Sequence, residues 1–210
     1  MTPECVAIPV VATPSDLAVY QVQRDAAERG LLIDLLRGAF DRDPHINWLI
    51  RQDDRRDAAL AELFVLLVND MGGELHATAD LQSAALWFPP GGGPDWGAQT
   101  RFFLRLLNLA GPLRAVARGI DLKRLDRCHP TRPHFHLQLL GVAPDCRGQG
   151  HGSALLGHLR GLARAANRPV YLETSRRENV AFYSNRGFEV AAESRLSDGL
   201  CLWSCVCGRW

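Results

Sequence analysis

Six residues in the middle of the chain, Arg147-Gly148-Gln149-Gly150-His151-Gly152, have the make-up of an anion cradle. Alternating glycines let a backbone close on its ligand. If a helix follows, the N–H groups of its first turn have no partner inside it. Together with the helix dipole they favour a phosphate. Spacing narrows the choice of phosphate ligand. No Gly-Lys-Ser/Thr closes the loop as in a P-loop, and position 153, where the dinucleotide fingerprint wants a glycine, is Ser. Further polar groups flank the cradle. His134, His136 and Gln138 alternate along the run ahead of it, and Glu173 nearly closes the apolar run Val170-Tyr171-Leu172. Asn179 and Tyr183 are four apart and share a face if they lie on a helix.

These groups need elements to carry them. Residues 134–140 alternate His/Gln with Phe/Leu, and the run then turns apolar through Leu139-Leu140-Gly141-Val142. A strand passing from an edge into a core reads this way, and Pro144 ends it. From Ser153, residues Leu155, Leu156, Leu159, Leu162, Ala163 and Ala166 repeat at helical spacing. Residues 169–174 predict a strand parallel to the first through a right-handed crossover. A short helix over 179–186, ended by Gly187, and a hairpin of 188–193 with 200–207 complete the C-terminal part. Upstream, the pattern predicts a strand at 17–24, helices at 27–40 and 54–70, a short connection at 45–50, and a hairpin of 74–79 with 83–88. After the breaker Pro89-Pro90-Gly91-Gly92-Gly93-Pro94 come two Arg- and Leu-rich helices, divided by Gly111-Pro112 and read as an insertion over 95–127. Their basic faces read as solvated surface, since acidic residues elsewhere balance them.

With 210 residues, 47% hydrophobic and 22% charged, the chain suits one globular domain over 17–210 behind an N-terminal extension of 1–16. A net charge of +1 gives no case for nucleic acid or an anionic membrane as partner. No apolar run approaches the roughly 18–20 residues of a membrane span. The first residues lack the basic region and cleavage site of a secretory signal, so the cytoplasm is expected. Cys201, Cys205 and Cys207 share one face of a strand, with no second ligand pair nearby. They read as core thiols, and no metal is expected.

The loop resembles the Gln/Arg-x-x-Gly-x-Gly/Ala motif of the GNAT acetyltransferase superfamily, with Arg147, Gly150 and Gly152 in the motif positions. Asn179, Tyr183, Gly187 and Phe188 match that superfamily's N-x-x-x-Y…G-F element. The runs Ala39-Phe40-x-x-Asp43-Pro44, Leu86-Trp87-Phe88-Pro89-Pro90-Gly91 and Leu172-Glu173-Thr174-Ser175 resemble the subgroup that includes puromycin N-acetyltransferase, over roughly residues 17–207. The resemblance implies an α/β (α+β) fold: a mixed, mostly antiparallel sheet of six to seven strands, splayed between strands four and five, with helices on both faces. It implies acetyl-CoA as cosubstrate in that gap. Leu140, Gly141 and Val142 would offer backbone groups to the pantetheine. The loop from Arg147 through Gly148, Gln149, Gly150 and His151 to Gly152, with Ser153, would hold the pyrophosphate. Asn179 and Tyr183 would line the thiol end.

The chemistry sets its own requirements. A primary alkyl amine with a pKa near 10.4 costs about 4–5 kcal/mol to deprotonate at neutral pH. The site therefore needs a proton acceptor, donors for the developing oxyanion, and a proton for the departing thiolate. Tyr183 suits the last task. Glu173 is the first candidate for base, and equally reads as a carboxylate tied to backbone. His134 and His136 are alternatives. Gln138 stands where related sequences often carry Glu and can only position substrate or water. Asp41, Asp43, Trp48, Trp87, Trp96 and His136 are candidates for acceptor contacts. The expectation is an N-acetyltransferase acting on a small-molecule primary amine, as monomer or homodimer. A protein lysine or N-terminal acetyltransferase, which needs an open groove, is the second reading. A module that holds acetyl-CoA without turnover is the third.

Overall fold

The computed structural model describes residues 17–23, 25–126 and 129–208. The N-terminal extension, with Cys5, and Cys128 lie outside them. Seven strands form one sheet in the order β1-β2-β3-β4-β5-β7-β6. They are β1 (Val19–Gln21), β2 (Glu74–Thr78), β3 (Ser83–Phe88), β4 (Phe135–Val142), β5 (Val170–Thr174), β6 (Glu189–Arg195) and β7 (Cys201–Cys207). Every neighbouring pair is antiparallel except β4 with β5, which are parallel.

β3 has all six residues buried, and its alternation assigns them to two cores. Ala84 and Leu86 join one cluster with Leu32, Ile33 and Leu36 of α1 (Ala26–Phe40) and Leu60, Leu63 and Phe64 of α3 (Arg56–Val65). Ala85 and Trp87 join the other, with Leu155, Leu156 and Leu159 of α6 (His151–Ala165). Each helix thus presents one apolar stripe to one face of the sheet. α3 runs on through a π-wound turn, Leu66–Asp70, whose first three residues remain buried.

Where a short connection is expected at 45–50, the chain forms a six-residue helix, α2 (Pro44–Leu49). Asp43 and Pro44, which stop α1, also start α2. The Asp43 carboxylate accepts from the N–H groups of His45 (2.9 Å) and Ile46 (3.1 Å), and proline is tolerated at the first helical position. The insertion is a helical hairpin, α4 (Trp96–Ala110) and α5 (Pro112–Asp126), broken at Gly111. Leu106 and Leu109 of α4 join the α1 core, and Arg105 pairs with Glu62 at 2.7 Å. Asp121 of α5 accepts from the backbone and side chain of Ser197 in the β6–β7 turn.

Two irregularities in the sheet matter for function. β4 pairs with β5 only over Phe135–Leu137 against Val170–Leu172; beyond that, β4 runs five more residues and β5 two, with no rung between them. On its other side β4 carries a bulge: Leu86 faces Leu139 but Trp87 faces Leu137, so Gln138 has no opposite number. A bulge turns the strand over. Leu137 therefore packs toward α6 while Leu139, two residues on, packs toward α1.

Candidate active site

The fork between β4 and β5 opens toward the ends from which α6 and α7 (Arg177–Ser184) depart. From Leu140 to Val142, β4 is paired to β3 on one side only, so its other edge offers backbone groups to the fork. At the fork's mouth the glycine loop enters α6. Gly148 and Gly150 take φ of 78° and 97°, which a side chain would strain. No side chain among the described residues caps α6, which leaves its first N–H groups for a ligand.

The loop residues divide by role. Arg147 and Gly148 are exposed, and the Gln149 amide donates back to the Asp145 carbonyl at 2.9 Å. The His151 side chain does not face the mouth. It is 1% exposed, and its Nε2 lies 2.8 Å from Asp80 in the β2–β3 turn, clamping the loop to the sheet. The Ser153 hydroxyl accepts from Arg186 at 2.6 and 3.2 Å, and that guanidinium lies 3.8 Å over the Phe182 ring. Gly152 leaves space that Leu140, Val142 and Phe182 all approach, closing the α6 side of the fork.

α7 bears the second group. Asn179 donates to the Thr174 hydroxyl at 3.2 Å, so its amide fixes the end of β5. Tyr183 is almost buried and packs on Phe188 at 5.6 Å, whereas Phe182 leans toward Gly152. Burial pushes the phenol well above its ordinary pKa, and the nearby Cys205 and Asp43 add to the shift. The hydroxyl therefore stays protonated.

Glu173 begins the unpaired part of β5, on the α2 face. One carboxylate oxygen accepts from Tyr171, whose hydroxyl also meets Ser204, both at 3.0 Å. The other oxygen lies 3.6 Å from Nε2 of His129, in the segment ahead of β4. Burial alone would raise this carboxyl, but His129, with His136 and His45, outweighs it and holds Glu173 below its usual pKa. His136, beside them, is driven down to about 3, by burial first and then by the like charge of His129. His134 is turned to the carbonyl of Arg132 at 2.8 Å. His45 at the start of α2 has Nε2 buried without a hydrogen-bond partner among the described residues. Ligand-type atoms of His129, His136 and Glu173 lie within 4.8 Å of one another, a spacing a metal ion could bridge.

The remaining acceptor candidates separate. Asp43 is held by the N-cap bonds, by Ser175 at 3.3 Å and by Arg176 at 3.7 Å, which ties α2 to the end of β5. Asp41 pairs with Arg56 at 2.9 Å. Trp48 forms the wall of a groove between α2, α5 and the β6–β7 turn. Gln138, the bulge residue, is exposed. Trp87 is fully buried on the opposite face, stacked 3.9 Å from His76, and Trp96 points outward at the start of α4. The sequence reading passes over His129 and His45. Their partner Glu173 is more than forty residues from the nearer of them, and only the spacing of His129 from His134 and His136 hints at a cluster.

Comparison with known proteins agrees with this geometry. The family described as "Acetyltransferase (GNAT) domain" matches residues 115–190. The "5-NmdU N-acetyltransferase" of Pseudomonas phage PaMx11 is 34% identical over 71 residues, 34% of this chain. The chain spans about half the length (51%) of that curated relative. A crystal structure of histone acetyltransferase HPA2 and related acetyltransferase from Corynebacterium glutamicum is 26% identical, with a TM-score of 0.68 over 92% of this chain and 96% of that one. The polyamine N-acetyltransferase of Drosophila melanogaster, which forms N-acetylagmatine, shares the fold at 15% identity, with a TM-score of 0.56 over 91% of this chain and 100% of that one. The forked sheet with a glycine loop at its mouth is the GNAT fold, and residues 115–190 of the chain match the acetyltransferase family's domain.

Proposed function

We propose that the chain transfers an acetyl group from acetyl-CoA to the primary amine of a small molecule, by direct attack in a ternary complex. The observation that carries this reading is the fork itself. Its mouth has the uncapped helix start and open glycines that suit a diphosphate, its edge offers unpaired backbone, and an ionised carboxylate with an imidazole beside it lies at its root. Acetyl-CoA would lie with its pyrophosphate on the N–H groups of 148–153 and its pantetheine along Leu140–Val142.

The Glu173–His129 pair takes the first proton, from the incoming ammonium. Because Glu173 is held below its usual pKa, it is a weak base but a steady anion. Its part is to orient His129 and to stabilise the imidazolium, while the imidazole accepts the proton. His136, with a pKa of about 3, is too weak to share that task. The amine nitrogen then attacks the thioester carbon, and backbone donors at the bulge receive the oxyanion. As the C–S bond breaks, Tyr183 protonates the sulfur and recovers its proton from the nitrogen that becomes the amide. One proton is released overall.

A small acceptor is favoured by the α4–α5 hairpin, which is latched to the β6–β7 turn beside α2. The names of two similar proteins, the polyamine and 5-NmdU N-acetyltransferases, also carry an N-acetylation of amines. The runs around Asp43, Trp87 and Glu173 support the closer likeness to puromycin N-acetyltransferase. The test is thiol release from acetyl-CoA with a panel of amines, products identified by mass spectrometry, with and without EDTA. Saturation by a small amine, indifferent to EDTA, is expected. Inert amines despite tight CoA binding would make this a binding module, and faster peptide acetylation a protein acetyltransferase. Loss of activity in EDTA would reassign His129, His136 and Glu173 to a metal.

A further inference from the structure

The groove between α2, α5 and the β6–β7 turn, about 560 Å³, is lined by Pro44, Asn47, Trp48, Arg114, Arg118 and Asp198 among others. Its chemistry is uneven. Arg118 is only 7% exposed, with its guanidinium 4.2 Å over the Trp48 ring and one amino group donating to Asp198 at 2.9 Å. Its Nε is buried and meets no acceptor among the described residues. A desolvated donor on a charged group is costly to leave unmade, and an acceptor in the groove would remove that cost. Arg114 stands one turn earlier on the same face of α5, exposed and without an ion pair among the described residues. Asp198 offsets one of the two guanidinium charges, so the wall keeps one positive charge to spare.

We propose that the acceptor carries, besides its amine, an anionic group, a carboxylate or a phosphate, that docks against Arg114 and Arg118 in this groove. The inference rests on the acetyltransferase reading and names the class of its acceptor. Guanidinium forks match both anions in geometry, and a charge-assisted bond there is stronger than a neutral one. The groove also leads to the reaction centre. It begins at Pro44, whose neighbours Asp43 and His45 sit against Ser175 and within the field of Glu173. From Pro44 to Trp48 the helix rises roughly 6 Å. An amine separated from its anion by a chain of about that length or a little more would reach the fork while its anion stays on α5. By the same charges, a diamine of equal length is disfavoured, because its second ammonium would face two arginines.

The experiment compares kcat/KM for ε-aminocaproate, aminopentyl phosphate, hexylamine and hexamethylenediamine, in the full chain and in Arg114→Glu. The anionic amines should exceed hexylamine by about tenfold, the equivalent of one good charged contact, with the diamine last. The better of the two anions assigns the carboxylate or the phosphate. In Arg114→Glu the ratio of anionic amine to diamine should fall by at least about tenfold. A diamine that matches the anionic amines in the native chain, or a ratio unchanged by Arg114→Glu, overturns the proposal. Calorimetric binding of N-acetyl-ε-aminocaproate decides it apart from turnover. Binding that Arg114→Glu abolishes supports the groove even if every amine is inert, which would sink only the catalytic reading. No binding to the native chain sinks the groove even if amines react.

Discussion

Burial keeps Tyr183 a neutral phenol, the form its proposed role needs. A phenol whose pKa is pushed up by a dry setting keeps its proton, and it can lend that proton to the departing sulfur only as it takes another from the attacking nitrogen. Tyr183→Phe should therefore lower kcat by about 10²-fold, within the usual range for a lost general acid. CoA affinity, measured by equilibrium binding, should stay within a few-fold. Unchanged turnover would remove the tyrosine from the mechanism. His76 is a second buried titrating group, stacked on Trp87 and outside the proposed mechanism. Burial under α6, then the charge of His158, lowers its pKa from 6.5 to about 4, and Glu74 at 3.6 Å does not compensate. Between those two values the unfolded chain binds more protons than the folded one. Stability is thus full above about pH 6.5 and falls as the pH drops toward 4, with about 2 kcal/mol of the loss complete by about pH 5. Urea denaturation at the two ends of that window should show the loss in the native chain, and a shallower one in His76→Phe. Equal slopes would refute the assignment. Residues of this kind differ in how far a sequence reveals them. Asn179 and Tyr183 announce themselves by local spacing. The partners of Glu173 do not, because β-sheet neighbours are set by register rather than by distance along the chain.

Among the elements, β4 is the one under tightest constraint. A Cβ on Gly141 would stand 2.8 Å from Leu36 and 3.2 Å from Ala39, so strand and α1 meet without room for a methyl group. Gly141→Ala should destabilise by about 1–3 kcal/mol, as overpacking does. A chemical denaturation midpoint reads this, and an unchanged midpoint would mean that α1 yields freely. The strand, the glycine loop and α6 are all legible in the sequence, since an apolar run, a breaker and a helical stripe each act locally. α2 is not. Six residues with two aromatic side chains look like a connection until Asp43 is seen to cap them. The bulge at Gln138 is hidden for a related reason. Alternation continues through it in the sequence, and only the pairing with β3 shows that the faces have exchanged.

At the scale of the whole molecule, the domain is two half-sheets. β1 to β4 carry α1, α3 and α6, while β5, β7 and β6 carry α7, and the parallel pairing of Phe135–Leu137 with Val170–Leu172 is the backbone seam between them. The insertion adds a second bridge, from Glu62 through Arg105 on one side to Asp121 and Ser197 on the other. Sequence foretells the insertion as a pair of helices but not this strapping, which depends on side chains 43 and 76 positions apart. A molecule that fills the fork contacts both halves, so acetyl-CoA at a hundred times its Kd should stabilise the fold by about 2.7 kcal/mol. Hydrogen exchange should slow at the backbone of 138–142 in particular, and protection confined to the loop would deny the pantetheine its assigned path. A backbone seam of so few rungs would gain cohesion from a ligand seated across it. If acetyl-CoA is that ligand, as proposed, well-supplied cells should keep the protein long-lived and cells short of the acyl donor should degrade it sooner, so that its abundance would follow that metabolite.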